Sequence, residues 1–256
     1  MIKFFRKIRQ KLLSEGKNAQ YLKYAFGEII LVVIGILIAL QINNWNQELQ
    51  NNEKEKEYYN KFLEDVLLDE EVIKQEIFAT EKRYQAANKL VSLLLNEETD
   101  LLLISEKLQA SVANSTIALK PTTNAYDDLK SSGSLNIIKD EALKFELDQF
   151  YSKQTQIMKV IETNGQLLLK RLMDGENLIK TSFGTLYLQN VSDTTNINTK
   201  KLRQLIEPTP ESNYQLLNDA MSFSGISRRN RLHLNNLLNN CSEIKEKLQV
   251  KVRSND

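Results

Sequence analysis

Between Tyr24 and Ile42 the chain reads YAFGEIILVVIGILIALQI, nineteen residues in which Glu28 and Gln41 are the only strongly polar side chains. From Ile29 to Leu40 there is no polar side chain at all, and no other stretch of the 256 residues approaches that density. A helix rises about 1.5 Å per residue, so the segment spans roughly 28 Å, close to the ~30 Å hydrocarbon thickness of a bilayer. A cleaved signal peptide has a shorter apolar region, typically about 7 to 15 residues, and ends in a small-x-small site. Ile38-Ala39-Leu40-Gln41 offers no such site. A core helix of a water-soluble domain rarely runs so far without a polar side chain. The sequence therefore predicts a permanent signal anchor that crosses the membrane once, over residues 24–42.

The flanks predict its orientation. Residues 1–23 hold Lys3, Arg6, Lys7, Arg9, Lys11, Lys17 and Lys23 against the single acid Glu15, a tail of net charge +6. Of the 34 bases and 33 acids in the chain, 27 bases and 31 acids lie beyond the apolar segment, which makes residues 43–256 about −4 and explains why the whole is only +1. Cytoplasmic flanks retain Lys and Arg, so the basic tail is expected in the cytoplasm and residues 43–256 outside the inner membrane. Tyr21, Tyr24 and Phe26 at one end and Trp45 at the other suit the aromatic belts of membrane interfaces. Within the tail, Ile2, Phe5, Ile8, Arg9 and Leu12 recur at helical spacing among bases. Two readings stay open there: an amphipathic helix on the anionic leaflet, or a plain topology signal. The basic run is short and lacks any nucleic-acid-binding module, so no nucleic-acid partner is expected.

The stretch GEIILVVIGILIALQINNWN, Gly27 to Asn46, preceded by FFRKIRQ at Phe4 to Gln10, and a second stretch AYDDLKSSGSLNIIKDEALKFELDQFY, Ala125 to Tyr151, resemble a family of uncharacterised bacterial single-pass membrane proteins. The resemblance covers nearly the whole chain and implies a Gram-negative envelope protein. It implies no catalytic residue, because the family is a domain of unknown function.

At about 100° per residue, Glu28, Gly35, Ala39 and Asn46 fall within about 20° of one line, with Ile42 beside them. Gly35-x-x-x-Ala39 is a small-xxx-small pair that lets helices approach closely, and an acid near that face prefers a protein partner to lipid. These four residues are the candidate helix-contact face, for a second copy or for another envelope protein. The competing reading is that Glu28 snorkels to the cytoplasmic interface and the small residues are incidental.

Beyond the membrane the composition is helical. Eight Gly and three Pro in 256 residues do not suit a sandwich or barrel. Asn43 to Asn52 is polar and Glu53 to Glu57 alternates charge, with neither Pro nor further Gly until Pro121 and Gly133, so the first helix is expected to continue outward. Tyr59, Leu63, Val66, Glu70, Ile73, Ile77, Thr80, Tyr84, Ala87, Val91 and Leu94 form a heptad seam interrupted by Glu70 and Thr80, with Phe62, Leu67, Phe78 and Leu90 widening it. A second helix is expected from a cap at Asp100 or Ser105 to about Ala118, and a third over residues 123–131, stopped by Gly133. A fourth, capped by Asp140, repeats Leu143, Leu147, Phe150, Gln154, Ile157, Ile161, Asn164 and Leu168 and runs to about Lys180, with kinks at Gly165 or Gly175. Residues 182–212 read as the least ordered connection, with one short helix at 199–206. A last helix spans about Tyr214 to Val252, with a break at Gly225 and Leu234, Leu237, Cys241, Ile244 and Leu248 on one side. The predicted fold is all-α: one N-terminal transmembrane helix followed by an elongated antiparallel helical bundle over residues 43–256.

Chemistry is sparse. His233 and Cys241 are the only residues of their kinds and lie about 80° apart on a helix, which leaves almost no material for zinc sites or Cys–His nucleophiles. Cys241 is expected to pack in the seam, the sharper alternative being an intermolecular disulfide. His233 is expected to be a surface or partly buried residue. Ser131-Ser132-Gly133-Ser134 lacks the spacing and lysine of a phosphate loop and reads as a helix stop. Asp127-Asp128 and Glu70-Glu71 are adjacent pairs that diverge by about 100° and read as solvated charge. No cofactor, metal or catalytic residue is predicted, and the protein is not expected to be an enzyme. Its partners are the bilayer and either itself or an envelope protein. The expected role is a membrane-anchored periplasmic scaffold, and the alternative is a periplasmic ligand-sensing bundle that signals through a separate membrane partner, because about 23 cytoplasmic residues are too few for a signalling domain. In a membrane dimerisation reporter, Gly35→Ile is expected to lower self-association severalfold relative to wild type; equal signals from the two would refute the contact face.

Overall fold

The structure is a computed structural model that describes residues 18–96, 100–116, 119–174 and 209–254, together with Lys200 and Gln204. The helix considered for residues 2–12, and residues 175–199, 201–203 and 205–208 of the expected fourth helix and connection, lie outside the described residues. Among the described residues there is no strand. Among the described residues five α-helices carry the fold: α1 (Asn18–Leu95), α2 (Leu101–Val112), α3 (Asn124–Ser131), α4 (Glu141–Asp174) and α5 (Pro210–Ser254), with a 3-10 turn at Ser134–Ile137. The chain divides into two compact units, Met1–Glu57 and Tyr58–Asp256.

In the first unit, every large apolar side chain from Leu22 to Ile42 is exposed. This part of α1 is apolar on all sides, with a mean hydropathy of 2.5 over its most apolar window, and is long enough to cross a membrane.

The second unit is a bundle of four limbs. Side-chain pairs between α1 and α5 run in opposite order along the two helices: Glu70 with Lys245, Glu81 with Arg231, Asn88 with Ser224. The pairs between α4 and α5 do the same, from Glu146 with Lys247 to Arg171 with Asp219. The remaining limb is interrupted. It consists of α2, irregular segments at 113–116 and 119–123, and α3, and it also runs opposite to α1, because Arg83 reaches Ala113, Asp69 reaches Thr122 and Tyr58 reaches Asp128.

Local signals start and stop these limbs. Asp100 Oδ1 accepts the Leu102 and Leu103 N–H groups at 2.9 and 3.2 Å and caps α2, while Ser105 bonds back to Leu101 within the helix. Gly133 adopts φ 69° after α3, the left-handed conformation that costs a glycine least. Asp140 Oδ1 caps α4 by accepting Leu143 N–H at 3.0 Å. α5 begins at Pro210 rather than Tyr214: Thr209 and Ser212 exchange side-chain-to-backbone bonds of 2.8 and 3.2 Å in a capping box, with the proline in the first helical position where its missing N–H is harmless.

Two apolar clusters fill the bundle. One joins Tyr59, Phe62, Val66 and Ile73 of α1 to Leu129, Leu147, Tyr151, Leu237 and Leu248; the other joins Ala87 and Leu90 to Leu108, Leu168, Ala220 and Phe223. On α5 the buried positions Leu216, Ala220, Phe223, Ser227, Asn230, Leu234, Leu237, Cys241, Ile244 and Leu248 alternate steps of four and three, a longer seam than its apolar residues alone announce.

Several expectations are corrected. α2 ends at Val112, not Ala118, because Ala113 leaves the helix with ψ 129° and Asn114 takes φ 54°. Leu67 and Phe78 do not widen the α1 stripe: they are 46% and 63% exposed on the outer side, and the Lys82 ammonium sits 4.2 Å from the Phe78 ring. The flanking buried positions belong instead to Asp65, Asp69, Glu76 and Arg83. Neither Gly165 nor Gly225 breaks its helix. Gly165 is where the 113–116 turn presses on α4, and a Cβ built there would lie 1.7 Å from the Ser115 carbonyl oxygen. At Gly225 a Cβ would meet nothing within 4 Å. Gly165→Ala is therefore expected to cost roughly 2–4 kcal/mol and Gly225→Ala to gain about 0.5–1 kcal/mol, measured by chemical unfolding of the full-length protein in mild detergent.

Candidate functional site

The predicted contact face, Glu28, Gly35, Ala39 and Asn46, lies on the unbroken α1, so its spacing of seven, four and seven residues does place the four along one side. A Cβ at Gly35 would meet nothing within 4 Å.

The second unit carries a denser group of functional side chains. The motif from Ala125 to Tyr151 folds against the Tyr58–Asp69 stretch of α1 and encloses a set of tyrosine–carboxylate contacts. The Tyr58 hydroxyl donates to Asp128 at 3.0 Å, and the Tyr126 hydroxyl donates to Asp148. Tyr126 and Tyr151 stack with ring centroids 4.7 Å apart, and Phe62 closes the other side of Tyr151 at 6.4 Å. Asp65 and Asp69 hold the end of the irregular stretch, Asp65 accepting Ala125 N–H at 2.8 Å and Asp69 accepting Thr122 N–H at 2.9 Å. One turn beyond Tyr151, Gln154 donates to the Cys241 sulfur at 3.2 Å.

Burial dominates the electrostatics. It pushes both Asp65 and Asp69 above the usual aspartate range, against the lowering effect of the Ala125 N–H on Asp65 and of the Thr122 hydroxyl and N–H and the Gln154 side chain on Asp69, and neighbouring acids raise each further. It raises the phenols of Tyr126 and Tyr151 in the same way, with the nearby carboxylates adding to the effect. The Cys241 thiol is pushed up to about 12 by burial and by Asp69 and Glu70. Cys241 therefore packs as a neutral group in the seam, fully enclosed, and the intermolecular disulfide alternative has no accessible sulfur. His233 is half-buried.

The two breaks in the α1 heptad have structural partners. Thr80, fully buried, accepts from Arg83 at 2.6 Å and donates to Glu76 at 3.2 Å; Arg83 also pairs with Glu76 and donates to the Ala113 carbonyl at 3.1 Å. With Asn164 donating to Asn230 at 2.6 Å, these groups form a polar layer between the two apolar clusters. Glu70 pairs with Lys245 and, more loosely, with Lys74. The adjacent acids do diverge, but the expectation of solvated charge fails for Glu70, which is buried against Lys245; Glu71 accepts from Gln75, while Asp127 accepts from Thr123 and Asp128 from Tyr58. Among the described residues no group of three or more His, Cys, Asp and Glu side chains is placed to hold a metal ion. A surface groove of about 370 Å³ between α4 and α5 is floored by Phe150 and Ile244 and spanned by the Lys153–Asn240 and Lys247–Glu146 contacts.

The contributors from α1, Asp65 and Asp69, were not foreseen; the only sequence signal for them is a pair of acids at a four-residue step inside an apolar stripe. Tyr126 and Tyr151 lie in the recognised motif, but no chemistry was attached to them.

Among the described residues the protein is all-helical, with one helix apolar enough to span a membrane and a bundle that buries a set of polar groups in its interior. The model of the family of unknown function DUF6090 matches residues 28–207, and the chain belongs to that family. The match begins at Glu28, takes in α1 from there through α4, and stops short of α5, although α5 supplies one wall of both apolar clusters. No curated protein and no solved structure matches the chain.

Burial alone would raise the Glu70 pKa, but the hydrogen bond and charge of Lys245 and the charge of Lys74 bring it below the usual glutamate value of 4.5. A depressed carboxylate stabilises the folded state in full above the unfolded value and loses that contribution as pH falls through the folded one. Glu70→Gln is thus expected to cost about 1–3 kcal/mol at neutral pH, with the gap from wild type closing as unfolding is measured at successively lower pH below about 4.5.

Proposed function

We propose that the protein is a single-pass scaffold of a Gram-negative inner membrane, with residues 1–23 in the cytoplasm, residues 24–42 as a signal anchor and residues 43–256 as a periplasmic interaction domain. The observation that carries this reading is the exposure of every large apolar side chain from Leu22 to Ile42, in a chain whose bundle buries its own core. Such a surface is stable only in a solvent as apolar as itself, and the excess of bases before it orients the helix. A scaffold role is supported by the chemistry of the bundle, where Asp65, Asp69, Asp128 and the Cys241 thiol make contacts between its limbs. The Glu28–Gly35–Ala39–Asn46 face is the intramembrane contact, with a second copy or another envelope protein.

The ligand-sensing reading is favoured by one observation: three buried oxygens in the tyrosine–carboxylate cluster have no hydrogen-bond partner. It requires a separate membrane partner for output. Crosslinking in intact membranes followed by mass spectrometry separates the two: scaffold function yields a protein partner captured irrespective of added ligand, whereas sensing yields a melting temperature that moves with ligand. Topology is tested by alkaline phosphatase fused after Asp256, expected to be active; a full-length fusion that stays inactive would refute export of the domain.

A further inference from the structure

Asp65 and Asp69 stand one helical turn apart on α1, 6% and 2% exposed. Each places one oxygen on a backbone N–H of the irregular limb. The charged groups acting on them are acids: Glu64 and Asp127 on Asp65, and Asp65 on Asp69. Lys245 and Lys74 both pair with Glu70. A buried carboxylate without a countercharge is costly, and proteins resolve the cost by pairing the group or by letting it coordinate a metal ion.

The atoms around this pair are short of partners in the same way. Asp69 Oδ2, the Tyr151 hydroxyl and Gln154 Oε1 are all buried without a hydrogen-bond partner, and their residues are 2%, 3% and 0% exposed. They belong to one neighbourhood: the Tyr151 phenol feels the charges of both Asp65 and Asp69, and the Gln154 amide lies within hydrogen-bonding reach of Asp69. Tyr151 is pinned there between Phe62 and Tyr126, and Gln154 by its bond to Cys241. Reversing the Gln154 amide would bring no positive charge to the two aspartates.

We propose that Asp65, Asp69, Tyr151 and Gln154 form an internal binding site for a hard divalent cation of the calcium or magnesium class, joining α1 to α4 beside the Thr122–Ala125 segment. The donors are two carboxylates and two neutral oxygens. Oxygen-only sets of this kind suit hard cations and disfavour zinc, which takes nitrogen and sulfur ligands. A charge of +2 matches the two aspartates. The proposal depends on neither reading of the protein's role.

The full-length protein in mild detergent is stripped with EDTA, and its melting is followed against CaCl2 and MgCl2 at constant ionic strength. One of the two salts is expected to raise the melting temperature by about 5–10 °C at a hundredfold excess over its dissociation constant, with one ion bound per chain by equilibrium dialysis. Asp69→Asn, checked for retained helicity, is expected to abolish the shift; should it not fold, the stoichiometry and melting of wild type still decide. The proposal is overturned if neither salt moves the melting temperature, if a folded Asp69→Asn keeps the full shift, or if acidification in EDTA reproduces it, which would mean that a proton neutralises Asp69 instead.

Discussion

The bundle depends on how it treats a broken limb. A helix that ends inside a protein leaves backbone N–H and C=O groups without partners, and these must be satisfied because water is excluded. Among the described residues of the second limb, 113–116 and 119–123 are not helical, and three backbone groups at the break are met by side chains of α1: Arg83 donates to the Ala113 carbonyl, Asp69 accepts from Thr122 and Asp65 from Ala125. This is why one face of α1 buries charge at positions where a heptad seam would carry leucine. Arg83 is in turn held by Glu76 and Thr80, so its charge is compensated within the layer that separates the two apolar clusters. Buried ion pairs of this kind contribute little net stability, yet they fix register: a shift of α1 by one heptad would set Glu76 and Arg83 against apolar layers.

The same interruption explains Gly165. With α2 ended early, the 113–116 turn drops onto α4, and only a residue without a side chain leaves room for the Ser115 carbonyl. Polar anchoring from α1 and a missing Cβ on α4 thus act on opposite sides of one segment. The tyrosine–carboxylate cluster is the continuation of that arrangement toward α3. Its stacked Tyr126 and Tyr151 and its underpartnered oxygens lie where the broken limb resumes as helix.

Features that depend on a few adjacent residues were legible in the chain. Asp100, Gly133 and Asp140 act where expected because a cap or a left-handed stop is decided by its own backbone neighbours. Burial of Cys241 in the α5 seam was readable from period alone. What escaped was non-local. The packing role of Gly165 was hidden because a close approach from fifty residues away leaves no mark on its neighbours in sequence, and Pro210 looked like loop because its role depends on the Thr209–Ser212 exchange. Leu67 and Phe78 looked like core by composition, whereas burial follows angular position, and the inner positions had been taken by charges that sequence reasoning assigns to solvent.

By itself the sequence determined that the described residues are helical, that one segment is long and apolar enough to cross a membrane, and where the caps at Asp100 and Asp140 and the stop at Gly133 fall, because periodicity, hydropathy and capping are read over a few turns of chain. Only the tertiary structure decided which acids are buried, which glycine is indispensable and where the second limb breaks. Those outcomes rest on backbone groups and side chains brought together from distant parts of the chain, and the cost of leaving a polar group unpaired exists only once water has been excluded around it.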